Sequence, residues 1–158
     1  MANPKLDALA FDFFREFARY EYCLKVTGLR SRASVAEASW DKYAAEVAHV
    51  FDNPPTSAFG EAVEYFTRYP PKKQIIKADV LAWEEESRSE SGAKALRMLL
   101  RIRRVRNNLF HGGKFNDIWF APERSELLLS HALVILHACR DGHDRVKEAY
   151  EGLSDTAK

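Results

Sequence analysis

Apolar positions recur along most of the chain at the period of a helix. From Lys5 to Val26 the residues Leu6, Leu9, Phe13, Phe14, Phe17, Tyr20 and Leu24 stand three and four apart, the spacing of one helical face. Gly28 follows as a stop. A second helix is expected from Ser34, with Glu37 three residues on completing a capping box, and its apolar positions run to Phe51 before Asn53-Pro54-Pro55 breaks it. A shorter helix is expected over about 57–69, ended by Pro70-Pro71. A weaker helical pattern covers 72–86 around Ile75, Ile76, Val80, Leu81 and Trp83.

The polar stretch EEESRSESG reads as a helix end plus an exposed loop. A helix from about Ala93 to His111 follows, stopped by Gly112-Gly113. KFNDIWF is a turn or a short extended piece. Pro122 suits the first turn of a last long helix, from about Glu123 to Tyr150. Its nearly continuous apolar run LLLSHALVILHAC gives it a central place. No strand-period run, internal repeat or heptad array stands out. The pattern predicts an all-α bundle of about five to six helices in a single domain over 1–158, with a frayed tail from about 151.

Composition narrows the class. At 158 residues, with 46% hydrophobic and 12% aromatic residues, the chain can bury a core and is not a disordered segment. The net charge of +1 excludes a uniformly basic coat, so any anion site must be local. No apolar run approaches the roughly 18 residues of a membrane span, and the opening MANPKLDALAFDFF has no secretory-signal pattern. Cys23 and Cys139 fall inside amphipathic patterns and are expected as reduced core thiols, which makes the cytoplasm the expected compartment.

One helix departs from that balance. On 94–111, Met98, Ile102, Val105 and Leu109 form a packing stripe. Lys94, Arg97, Arg101, Arg104, Asn108 and His111 form a second stripe, with Arg103 and Arg106 between the two. No acid occurs from Lys94 to Lys114, whereas Glu84, Glu85, Glu86 and Glu90 are grouped just before. Like charges at these spacings repel by a few tenths of a kcal/mol per pair. Arginine also outnumbers lysine, and its planar fork suits phosphate. A solvated basic face is the plain alternative; an anionic partner is the simplest compensation. His111 adds a group that titrates near neutrality. Imidazole beside guanidinium can cleave RNA without a metal, although a lone histidine near arginines is more often structural.

At Arg106-Asn107-Asn108-Leu109-Phe110-His111 the sequence resembles the HEPN superfamily, marked by arginine, four to six residues, then histidine. Asn107 matches the polar residue that often follows the motif arginine; Arg104, with six residues between, is the alternative motif arginine. The long helix, the Gly-Gly stop and the aromatic-rich first helix FFREFARYEYCLKVTG add to the likeness. The resemblance implies a helical bundle that forms a homodimer, with motif helices facing across a cleft. It implies a metal-independent endoribonuclease leaving a 2′,3′-cyclic phosphate. Members serve as toxins or in phage defence, some beside a small nucleotidyltransferase antitoxin.

The expected catalytic residues are then Arg106, Asn107 and His111, with Arg97, Arg101, Arg103, Arg104, Asn108 and Lys114 contacting RNA, and neither metal nor cofactor required. The competing expectation is a non-catalytic HEPN module that binds RNA, nucleotide or protein. Outside the motif, Glu21 could orient the motif arginine, but a surface glutamate beside a core Tyr22 is favoured. His137, Asp141 and His143 lack metal-ligand spacing, and His49 and His131 read as packing or surface residues. Trp40, Trp83 and Trp119 read as core or interface anchors, with Trp119 and Phe120 the nearest to stacking candidates.

Overall fold

The computed structural model describes residues 3–86, 93–112, 114–115, 118–119 and 121–152. Helix α1 (Pro4–Val26) starts where Asn3 accepts the Leu6 amide at 3.1 Å and Pro4 occupies the first turn. It ends at Gly28, φ +87°, where the Leu29 amide bonds back to the Leu24 carbonyl at 2.9 Å. A residue without Cβ makes that left-handed closure without strain.

The capping-box reading at Ser34 is overturned. Residues 30–38 form an antiparallel hairpin, β1 (Arg30–Arg32) with β2 (Val35–Ala38), closed by the Ser39 amide on the Leu29 carbonyl at 2.8 Å. The side chains of 31–37 are exposed, so a helix there would have no apolar face to bury. Helix α2 (Trp40–Glu46) waits for Ser39, whose hydroxyl accepts the Lys42 amide at 3.3 Å. Trp40 is buried there, its ring 5.1 Å from Phe17 and 5.8 Å from Tyr20 between centroids. Helix α3 (Ala48–Asp52) and helix α4 (Ser57–Arg68, capped by Thr56) follow.

A second hairpin replaces the weak helix expected over 72–86. Strand β3 (Lys73–Lys77) pairs with β4 (Val80–Glu84), with Ile75 opposite Ala82 and Gln74 opposite Trp83. Pro70-Pro71 blocks helix continuation, and β-branched Ile75, Ile76 and Val80 suit a strand. The turn is Ala78-Asp79, both at positive φ (50° and 61°), the primed geometry of two-residue hairpin loops.

Helix α5 (Lys94–Phe110) lies where its pattern predicts. A two-residue pair, β5 (Lys114–Phe115) with β6 (Ile118–Trp119), leads into α6 (Pro122–Asp141). The expected single last helix is broken: α6 stops at Gly142 and α7 (Asp144–Glu151) restarts with His143 as its cap. A Cβ on Gly142 would lie 2.4 Å from Val50 Cγ2, so glycine allows the end of α6 to close on α3.

Helix α6 packs against α1, α4, α5 and α7, the central place its apolar run implies. Inside the core the Tyr20 hydroxyl donates to the Leu136 carbonyl at 2.9 Å and accepts from the Tyr43 hydroxyl. Burial pushes both phenols well above their usual range. Cys23 and Cys139 are buried free thiols, also pushed up by burial. Among the described residues the domain is mostly helical, with seven helices and three short antiparallel pairs, and is not purely all-α. None of these helices is long and apolar enough to cross a membrane.

Candidate active site

The second stripe of α5 is mainly a structural seam. The C-terminus of α4 leaves carbonyls without helical partners, and the two prolines that follow carry no amide hydrogen. Side chains from α5 and α6 meet these carbonyls one after another. Arg101 Nη1 donates to Phe66 O at 3.0 Å, and Arg124 Nη2 donates to Tyr69 O and Pro70 O at 3.0 and 2.9 Å. Arg104 Nη1 reaches Pro71 O at 3.4 Å, and Asn108 Nδ2 reaches Lys72 O at 2.8 Å.

Arg101 is only 4% exposed and also donates from Nε to Glu86 Oε2 at 3.1 Å; the same oxygen accepts from Arg104 at 3.2 Å. Arg101 and Arg104, expected to track RNA, are thus engaged within the fold, and Asn108 commits one amide donor there. Their three- and four-residue spacing does place them on one face, and that face meets the end of α4. Charge compensation comes from Glu86, one of the acids grouped before the helix.

The remaining candidates divide by position. Arg103 is half-buried and forms no hydrogen bond or ion pair among the described residues, and Arg97 is half-buried one turn before Arg101. The side chain of Lys114, and Gly113 of the expected Gly-Gly stop, lie outside the described residues.

Arg106 and His111 flank one aromatic ring. The Arg106 guanidinium sits 5.1 Å from the Phe110 ring centroid and 5.7 Å from that of Phe17, and its Nη1 donates to Asn107 Oδ1 at 2.9 Å. Asn107 thus holds the arginine, which distinguishes Arg106 from the seam-bound Arg104. His111 caps the helix, its amide bonded to Asn107 O at 2.9 Å, with its ring 6.1 Å from Phe110. The imidazole is exposed and forms no hydrogen bond among the described residues.

Around these two groups lies an apolar surface. Phe110 meets Phe14 at 5.1 Å between centroids, and Phe110 and Phe11 are 57% and 64% exposed. With Ala10 and Leu109 they line a shallow depression floored by Trp119. Trp119 is buried and its indole donates to Asp7 at 2.9 Å, so it is unsuited to stacking; Phe120 lies outside the described residues.

Other candidates find structural partners. Glu21 accepts the Trp40 indole at 3.1 Å and does not reach the motif. His137 faces Glu16 at 3.2 Å, Asp141 pairs with Arg140 at 3.0 Å, and His143 bonds Glu46. His131 packs 4.8 Å from the Tyr65 ring, and its partial burial lowers its pKa. Among the described residues no three metal-ligating side chains converge.

Sequence reasoning passed over Arg124 and read Trp83 as a core or interface anchor on a weak helix, whereas it stands 42% exposed on β4. The available signals were the β-branched pair before Val80 and a proline pair whose neighbouring carbonyls needed donors. No protein-family model, curated protein or solved structure matches the chain.

Proposed function

We propose that the protein is a HEPN-type, metal-independent endoribonuclease that acts as a homodimer. The observation that carries this reading is Arg106, held by Asn107, and an exposed His111 on either side of Phe110, while the other motif-compatible arginine is tied into the seam. His111 takes the proton of a ribose 2′-OH. The 2′-oxygen attacks the adjacent phosphorus, the 5′-oxygen leaves, and the imidazolium returns the proton to it. Arg106 donates to the phosphate oxygens as charge grows there. The products are a 2′,3′-cyclic phosphate and a 5′-hydroxyl.

The aromatic surface supplies the reason for two copies. Exposed Phe11, Phe14 and Phe110 form an apolar face beside the charged pair, and a two-fold contact through it brings one protomer's His111 near the partner's motif helix. Arg103, which forms no hydrogen bond or ion pair among the described residues, is the arginine of α5 best placed to follow the RNA backbone. A toxin or phage-defence role, with a nucleotidyltransferase antitoxin, rests on the resemblance; a nucleotidyltransferase gene adjacent to this one would support it.

Incubation with total RNA in EDTA tests the assignment. Cleavage by the native protein and its loss in His111→Ala are expected; equal cleavage by both removes His111 from the mechanism. A non-catalytic RNA-binding module is favoured by one observation, that no third group orients the imidazole among the described residues. It predicts retarded migration of intact RNA in the same incubation.

A further inference from the structure

A cavity of about 230 Å³ opens between the β3–β4 hairpin and helices α5 and α6, with Leu109 shared between it and the aromatic depression. Val105, Leu109 and Leu128 make its apolar walls, and Trp83, 42% exposed, stands at one side. Asn108 and Arg124 supply its polar edge, both held by the carbonyls of 69–72. Asn108 uses one Nδ2 hydrogen on Lys72 O; its other hydrogen and its Oδ1 form the paired donor and acceptor that read a base edge.

We infer that this cavity is a nucleobase subsite, in which an unpaired base stacks on Trp83 and is read at its edge by Asn108 and Arg124. The volume falls below the roughly 300–1,000 Å³ of sites that enclose drug-sized ligands. It therefore accepts one ring system and leaves ribose and phosphate outside. Apolar walls with an aromatic face and a few fixed polar groups suit a base, whose faces are apolar and whose rim is polar. Lys72 also lines the cavity, its ammonium 3.9 Å from Glu85, an exposed pair that a phosphate left outside can compete for.

Placement links the cavity to the motif. His111 follows Asn108 by three residues, about 5 Å along the helix, and about 60° around it, whereas Phe110 is about 160° away. A base in the cavity puts its own phosphate near His111, so the subsite would select the nucleotide beside the cut. This extension rests on the nuclease reading, but occupancy of the cavity is measurable without cleavage.

The test is intrinsic fluorescence titration with each of the four nucleoside 5′-monophosphates, on the native protein and on Trp83→Phe and Leu128→Trp. Trp40 and Trp119 are buried, so quenching by a base should come from Trp83. Saturable quenching is expected, absent in Trp83→Phe and abolished when Leu128→Trp fills the cavity; circular dichroism checks that both variants fold. A parallel cleavage assay on short single-stranded RNA should show at least a tenfold loss of kcat/KM in Trp83→Ala and altered preference at the nucleotide beside the cut. Quenching without RNA cleavage keeps the subsite and removes the nuclease reading. Cleavage with no saturable quenching, and no change of kcat/KM in Trp83→Ala, overturns the subsite alone.

Discussion

At the scale of single residues, the proposed function divides the arginines of α5 between the fold and RNA, and substitutions should separate the two. Arg101 is buried against Glu86 and the Phe66 carbonyl. Arg101→Ala leaves the buried Phe66 carbonyl without its donor and Glu86 with Arg104 alone, and an unsatisfied buried polar group costs about 1–3 kcal/mol. Thermal or urea denaturation should show that loss. Arg103 has no such partner among the described residues, so Arg103→Ala should leave stability unchanged. It should instead weaken RNA binding and reduce the salt slope by about 0.7, the value of one single-strand phosphate contact. His111→Ala should lower cleavage by about 10²–10⁴, the usual worth of a positioned proton-transfer group, with an unchanged melting temperature. A His111 variant that unfolds would point to a structural histidine.

At the scale of elements, the last two helices are joined by side-chain devices that are sensitive to acid. Glu16 on α1 meets His137 and Arg140 of α6 and accepts the Tyr150 hydroxyl of α7. Burial pushes its carboxyl up, but bonds from His137 and Tyr150 and the charges of His137 and Arg140 outweigh it, and the net pKa is lowered. A lowered folded pKa means stability that is present above the ordinary glutamate range and is lost as pH falls through the folded value. Acid titration to below about pH 4 should therefore loosen α7, and Glu16→Gln should flatten that dependence. Gly142→Ala forces a methyl to within 2.4 Å of Val50 and should cost about 1–3 kcal/mol, as overpacking does; a neutral result would mean that α3 gives way freely.

The same elements show what the sequence could and could not disclose. Helices α1, α4 and α5 were legible because each carries its own apolar stripe and stop signals. Hairpin β1–β2 was hidden because Ser34 and Glu37 imitate a cap, while the apolar positions that anchor a helix begin only at Trp40, behind the true cap Ser39. Hairpin β3–β4 was hidden by a turn of Ala78 and Asp79, which lacks the usual glycine or asparagine at positive φ. The break at Gly142 depends on contact with Val50, a partner more than ninety positions away in the chain. The site was legible as a motif, Arg106 to His111. Its division from the seam was not, because the carbonyls that engage Arg101, Arg104 and Asn108 belong to another segment.

At the scale of the whole molecule, near-neutral charge hides a segregated surface, with an exposed aromatic face set beside Arg106 and His111. Phe11 contributes little to the core, so Phe11→Glu should preserve the fold while converting dimer to monomer in sedimentation and abolishing cleavage. Dimers that persist in that variant would place the interface elsewhere. The central claim is that one protomer's imidazole works with its partner's guanidinium. Mixing two inactive variants, His111→Ala and Arg106→Ala, tests this most directly. Subunit exchange should restore about a quarter of native cleavage, because half the dimers are mixed and each holds one intact site of two. A mixture as inactive as its components, with exchange verified, would contradict the account.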